Sequence, residues 1–230
     1  MSETWLVTGA SRGIGLEMVK ELLTQGHQVI AACRNPDGAR DLWEIQSDYK
    51  NRFRYFKLDV SSADSVAEFG AALKNETIDV LVNNAGILKG AGESLEGLDF
   101  DSVAKSIQVN TIGPIRVTQI LMPCLKRAKS PKVINVTSLM GSISDNGSGG
   151  YYAYRMSKAA LNMFGSCLSK EFSNITTLQM HPGWVKTDMG GAQAPTERLD
   201  SVRGMIAVIK GSTIKDSGRF LDFRGKELPW

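Results

Sequence analysis

Tyr154 and Lys158 stand four residues apart, a spacing that puts both side chains on one face of a helix. An ammonium beside a phenol stabilises phenolate and lowers the phenol's pKa from its model value of ~10. A tyrosine tuned that way donates a proton to a nascent alkoxide, or accepts one from an alcohol, near neutral pH. Two neighbours compete for the role, but Tyr151 has Arg155 at its fourth following position and Tyr152 has Met156. A guanidinium does not deprotonate and makes a poorer partner for such a relay, so Tyr154 is the candidate acid. Ser138 follows the expected strand 132–137 and so would stand at a strand's C-terminal end, where open α/β sheets place ligands. Its hydroxyl can hold a substrate oxygen in line with Tyr154; Thr137 beside it is an alternative hydroxyl.

A second constellation lies near the start of the chain. Thr8-Gly9-Ala10-Ser11-Arg12-Gly13-Ile14-Gly15 follows a short apolar run and precedes a helical pattern. Glycines there let the backbone turn tightly, approach a pyrophosphate and pack helix on sheet. The helix N-terminus offers unpaired N–H groups to phosphate oxygens. The alternative is a tight strand-to-helix turn without a ligand. At the end of the second strand an acidic residue would select NAD by binding the ribose 2′-hydroxyl. This chain has Cys33 and Arg34 there, with Arg12 in the glycine turn. Two guanidiniums can clamp a 2′-phosphate, so NADP(H) is the expected cofactor, against the plainer reading of Arg34 as a surface charge.

The elements that must position these groups alternate β-branched runs with amphipathic stretches, the pattern of a parallel sheet covered by helices. Strands are expected at 5–8, 29–33, 52–58, 78–82, 132–136 and 176–180, with 218–223 as an edge strand. Helices are expected at 16–25, 62–73 and 153–173, and a long one at 101–127 that Pro114 and Pro123 bend or interrupt. Gly26 sits where a helix C-cap glycine belongs. The stretch 142–150 is a polar, Gly-rich loop, and 188–200 looks like a mobile loop or lid. The expected fold is a single-domain, Rossmann-type α/β structure over 1–230: a doubly wound parallel sheet with helices on both faces and a substrate loop near 186–203.

Bulk properties agree with a globular enzyme. The 230 residues are 42% hydrophobic and 22% charged, enough for one sizeable core. A net charge of +3 with dispersed basic residues does not suggest nucleic acid. The short cluster Lys126, Arg127, Lys129, Lys132 reads as a solvated helix end. Cys33, Cys124 and Cys167 have no CxxC spacing and read as small buried hydrophobes in a reducing compartment. No secretory signal and no run of about 18 apolar residues is present, so a cytoplasmic protein without membrane spans is expected. His27 and His181 lack metal-ligand spacing, and no metal is expected.

Taken in order, Thr8-Gly-x-x-x-Gly-Ile-Gly15, Asp59-Val60, Asn83-Asn84-Ala85-Gly86, Asn110, Ser138, Tyr154-x-x-x-Lys158 and Pro182-Gly183 with Thr187 resemble the short-chain dehydrogenase/reductase superfamily over essentially the whole chain. Ala32-Cys33-Arg34-Asn35-Pro36, Tyr154-Arg-Met-Ser-Lys158 and the closing 225–230 are similar to the sniffer and C-factor type of carbonyl reductase. The resemblance implies that Asn110 supports a water relay behind Lys158, and that Lys158 also holds the nicotinamide ribose. Asn110 read by itself is open to a second role, a buried amide bonded to backbone. By the same resemblance Asp59 and Val60 flank adenine, and Asn84, Ala85 and Gly86 approach the adenosine ribose. Val185 and Thr187 meet the nicotinamide carboxamide, Thr187 near the pyrophosphate. Met140, Trp184 and Met189 are candidates for an apolar substrate wall, although such residues also serve as plain core. The interval from Ser138 to Tyr154 is a few residues longer than in many members, so 145–150 should bulge at the pocket mouth. The implied reaction is reduction of a ketone, aldehyde or quinone with NADPH. Alternatives are a dinucleotide-binding sensor without turnover, or an alcohol oxidation with NAD. The helices near 101–127 and 153–173 carry apolar residues on more than one face, which points to a homodimer or homotetramer.

Overall fold

The computed structural model describes residues 2–90, 92 and 94–230. Seven parallel strands form one sheet in the order β3-β2-β1-β4-β5-β6-β7. They are β1 Thr4–Thr8, β2 Gln28–Cys33, β3 Phe53–Lys57, β4 Val80–Asn83, β5 Lys132–Val136, β6 Thr176–His181 and β7 Phe220–Asp222. The helices are α1 Gly13–Thr24, α2 Arg40–Asp48, α3 Ala63–Ala72, α4 Phe100–Ile107, α5 Gly113–Leu125, α6 Tyr152–Glu171 and α7 Arg198–Gly211. This is the expected Rossmann-type fold, and its strand order reverses between β1 and β4, where such sheets bind ligands.

Alternation along each buried strand divides the core between two faces. Trp5, Val7, Ile134, Val136, Leu178 and Met180 pack with α1, α2 and α7. Leu6, Leu81 and Val133 pack with α3, α5 and α6 on the other side. Three amides also project to that second face from adjacent registered positions, Asn83, Asn135 and Gln179. Asn83 Nδ2 donates to Asn135 Oδ1 at 3.0 Å, and Asn135 Nδ2 to Gln179 Oε1 at 3.0 Å. Gly165 of α6 makes room for the last of them, since a Cβ there would lie 1.7 Å from Gln179 Oε1.

Three expectations are corrected and one is refined. The long helix at 101–127 is interrupted by a π turn over Gln108–Ile112 that ends just before Pro114, while Pro123 lies inside α5 without ending it. Gly113 N–H reaches back to the Gln108 carbonyl, and Pro114 has no N–H to give Asn110 four residues earlier. The expected loop at 186–203 ends where α7 begins at Arg198, whose Val202, Met205, Ile206 and Ile209 form a buried stripe. The part that remains a loop is braced: Lys186 N–H donates to Thr196 O, Thr196 N–H to Trp184 O, and the Trp184 indole to Gly190 O. Cys167 is exposed, unlike Cys33 and Cys124.

Lys132, finally, is buried, not solvated. Its ammonium donates to Ile209 O at 2.5 Å and Ser212 O at 2.9 Å, capping carbonyls at the end of α7 that no further turn of helix can satisfy. Burial lowers its pKa, and the charges of Glu3 and Asp216 oppose this in part. Ile209 O also accepts from the Ser212 hydroxyl, so Lys132→Met should leave Ser212 O without this donor and lower unfolding free energy by about 1–3 kcal/mol in urea titrations.

Candidate active site

The cleft at the switch point has a volume of about 290 Å³ and is framed by the turns that follow β1 and β4. Thr8 joins them: its hydroxyl accepts the N–H groups of Asn84 and Ala85, each at 3.0 Å. Asn84 Nδ2 returns the contact to Thr8 O at 2.9 Å. Gly9 has φ +66° and a Cβ there would lie 2.8 Å from Ala85 Cα, so only glycine fits. A Cβ on Gly15 would meet Gly9 O at 2.4 Å, which fixes α1 close beneath the turn. The α1 N-terminus thus faces the cleft with a bare backbone, as a phosphate cradle requires.

Of the expected nucleotide contacts, Gly9, Ser11, Arg12, Gly13, Ile14, Arg34, Asp59, Val60, Asn84, Ala85, Gly86, Tyr154, Lys158 and Thr187 line this cleft, as does Met189. Gly15 lies behind it as packing, and Val185 is buried, bridged to Thr196. Ser138, Met140 and Trp184 are not among the residues that line it; Ser138 adjoins it through its bond to Tyr154, and the Trp184 indole closes its own loop. Burial pushes the Asp59 carboxyl up, but hydrogen bonds from Ser61 and the charges of Lys105 and Arg34 outweigh it, holding its pKa low. Sequence reasoning missed Lys89 and Lys105, which add positive charge to the cleft wall. Neither sits in a motif, and only the fold brings α4 over the end of β3.

The two arginines expected to clamp a phosphate both line the cleft, in different settings. Arg34 is exposed at the end of β2, whereas Arg12 Nη1 is paired with Asp188 Oδ2 at 2.7 Å. Asp188 comes from the loop after β6 and also lines the cleft.

Ser138, Tyr154 and Lys158 meet at the ends of β5 and α6. Lys158 is buried, donates to Val136 O at 2.8 Å and lies 5.7 Å from the Tyr154 ring centroid. Burial lowers its pKa to about 8. The expected lowering of the Tyr154 pKa is overturned: burial pushes the phenol up to about 12, and the Ser138 hydroxyl opposes this only in part. The ammonium is aimed at a backbone carbonyl and sits over the ring, so it does not offset the loss of water around the phenol oxygen. At neutral pH the pair is accordingly a neutral phenol beside an ammonium. Thr137, the alternative hydroxyl, has its Oγ1 turned to Lys158 O at 3.5 Å.

Asn110 sits in the π turn, fully buried. Its Oδ1 accepts Ile87 N–H at 2.8 Å, and its Nδ2 donates to Ile87 O and Ser157 Oγ, each at 2.9 Å. Of the two roles open to it in the sequence, the bonds observed are those of an amide anchored to backbone, one residue from Lys158. Among the described residues no group of three His, Cys, Asp or Glu side chains is placed to hold a metal ion, and no helix is long and apolar enough to cross a membrane.

A Rossmann-type sheet with a glycine turn at its switch point and a Ser/Tyr/Lys group at its edge defines a class of oxidoreductase folds, and the comparisons agree. Residues 3–198 match the short chain dehydrogenase family, and the chain belongs to it. It is 46% identical over 155 residues to C-signal of Myxococcus xanthus, an alignment covering 66% of this chain and 93% of that protein. It is similar to the NADPH-bound carbonyl reductase from chicken fatty liver, with a TM-score of 0.94 and 35% identity, covering 100% of this chain and 99% of that one. It is also similar to the carbonyl reductase Sniffer of D. melanogaster, with a TM-score of 0.95 and 31% identity over 100% of both chains.

The histidine beside this site has a measurable signature. His181 Nδ1 accepts the Leu139 N–H at 3.3 Å, next to Ser138, and burial lowers its pKa to about 4 against nearby Asp222 and Asp145. His27 is shifted downward too, chiefly by burial. An unfolded chain with histidine pKa near ~6.5 takes up these protons first as pH falls. Stability should be complete above that pH and decline as pH drops toward about 4. Thermal melts across this range should show the decline, and His181→Gln should flatten it.

Proposed function

We propose that the protein is an NADP(H)-dependent oxidoreductase that reduces a ketone, aldehyde or quinone to an alcohol. The observation that carries this reading is a phenol kept protonated by burial, beside Ser138 and Lys158, in the same cleft as the glycine turn. The cradle fits a dinucleotide: the backbone at Gly9 and Gly13 is bare, both have positive φ, and no acid stands at the end of β2, where Arg34 does. In this reading the α1 N-terminus and Thr187 hold the pyrophosphate, Arg34 with Lys105 holds the 2′-phosphate, and Lys158 holds the nicotinamide ribose. NADPH supplies the hydride.

The chain supplies the proton and the geometry. Ser138 holds the carbonyl oxygen, and Tyr154 gives its proton to that oxygen as negative charge develops there. An alkoxide is far more basic than a phenolate, so a phenol with a raised pKa is still a competent donor. Oxidation would need the phenolate instead, which burial disfavours; this favours the reducing direction. Lys158, bonded to Val136 O, fixes α6 and with it the phenol against the end of β5, and Asn110 is a positioning residue that ties the turn after β4 to α6. Similarity to C-signal supports a second reading, a dinucleotide-bound signalling protein without turnover.

NADPH oxidation against a panel of ketones, aldehydes and quinones separates the two. Turnover is expected with some members of the panel, and Tyr154→Phe should lower it by about 10²–10⁴-fold while NADPH still binds. A Tyr154→Phe variant with unchanged turnover would refute the assignment, and binding without turnover on any carbonyl would favour the signalling role. We also propose a cytoplasmic homodimer or homotetramer through the helices at 101–127 and 153–173. Support comes from Met156 and Met163, exposed seven residues apart on α6, and from Ile120 on α5. Light scattering should return two or four times 25.0 kDa; the monomer mass would exclude it.

A further inference from the structure

Arg12 and Asp188 meet on the cleft lining, the first in the glycine turn, the second 176 residues later in the loop after β6. Their contact is short, 2.7 Å, yet their side chains are 71% and 79% exposed. A pair so exposed adds little to folding stability, about 0–1 kcal/mol. Nor does the loop need it for support. Gly191 N–H donates to Thr187 O, Gly190 N–H to Thr187 Oγ1, and the bonds to Thr196 and Trp184 close the rest.

The pair matters for charge. Arg12 is one of five cationic residues on the cleft lining, with Arg34, Lys89, Lys105 and Lys158. An anion entering there meets an Arg12 whose charge is already compensated, and a carboxylate beside it that repels the anion directly. We propose that Asp188 sets the affinity of the cleft for a nucleotide phosphate by competing with that phosphate for Arg12. Binding exchanges one ion pair for another: the guanidinium passes from carboxylate to phosphate, and Asp188 turns to solvent. Asp188 thus weakens ligand capture and eases ligand release. The same exchange unties the glycine turn from the loop that carries Thr187 and Met189. This inference rests on the dinucleotide reading above.

The test is equilibrium binding of NADPH and NADH, followed by nucleotide fluorescence, to the full chain and to Asp188→Asn, Arg12→Gln and the double variant, at low and high salt. Asp188→Asn should bind NADPH about two- to fivefold more tightly at low salt, the range of an exposed ion pair. The gain should shrink at high salt and vanish in the double variant. A gain confined to NADPH places Arg12 on the 2′-phosphate, and a gain shared with NADH places it on the pyrophosphate; either supports the exchange. Equal or weaker NADPH binding by Asp188→Asn overturns it, as does a gain that survives without Arg12. If the unaltered chain binds neither nucleotide, the dinucleotide reading itself is lost and this proposal falls with it.

Discussion

An ammonium withdrawn from water must find acceptors or surrender its proton, and the residues around the end of β5 are arranged around that requirement. Lys158 meets it with Val136 O at 2.8 Å, a bond that fixes α6 against the end of β5. The neighbours then have little freedom. A Cβ on Gly141 would sit 2.8 Å from the Lys158 carbonyl carbon, and one on Gly86 would sit 3.6 Å from the amine itself. Ser157, next to Lys158, is held from the other side by Asn110, and its own hydroxyl donates to Tyr154 O at 2.8 Å. Helix, strand end and the turn after β4 therefore form one block, with the phenol carried on it.

Burial also decides the chemistry of that phenol. The four-residue spacing correctly brings an amine and a phenol together, but spacing says nothing about how much water either keeps. Desolvation wins over mutual attraction here, raising one pKa and lowering the other. What results is a protonated phenol in place of a phenolate, set by solvent exclusion more than by the pairing of charges.

The features legible in the sequence are those written in local periodicity. Five core strands, the helices α1, α3 and α6 and the glycine turn all announce themselves by alternation, stripe or punctuation. The π turn does not, because one extra residue in a helix barely disturbs an apolar pattern, although it re-aims Asn110. Helix α7 was obscured because its start has no side-chain cap, Glu197 being at that position. Lys132 reads as one more surface cation until α7 is folded over it. The Arg12–Asp188 pair joins residues too far apart in the chain for any motif to couple them.

The row of amides from Asn83 through Asn135 to Gln179 has a bearing on how the sheet assembles. Neighbouring parallel strands packed with aliphatic side chains could slide past one another at modest loss, because hydrocarbon is indifferent to partner. Amides are not. A one-residue slip of β5 would turn the Asn135 amide toward the opposite hydrocarbon layer, breaking its bonds to both neighbours at once. These side chains work as dowel pins: they lock three strands at a single offset and so deliver Ser138, carried at the end of β5, to the same height every time the chain folds.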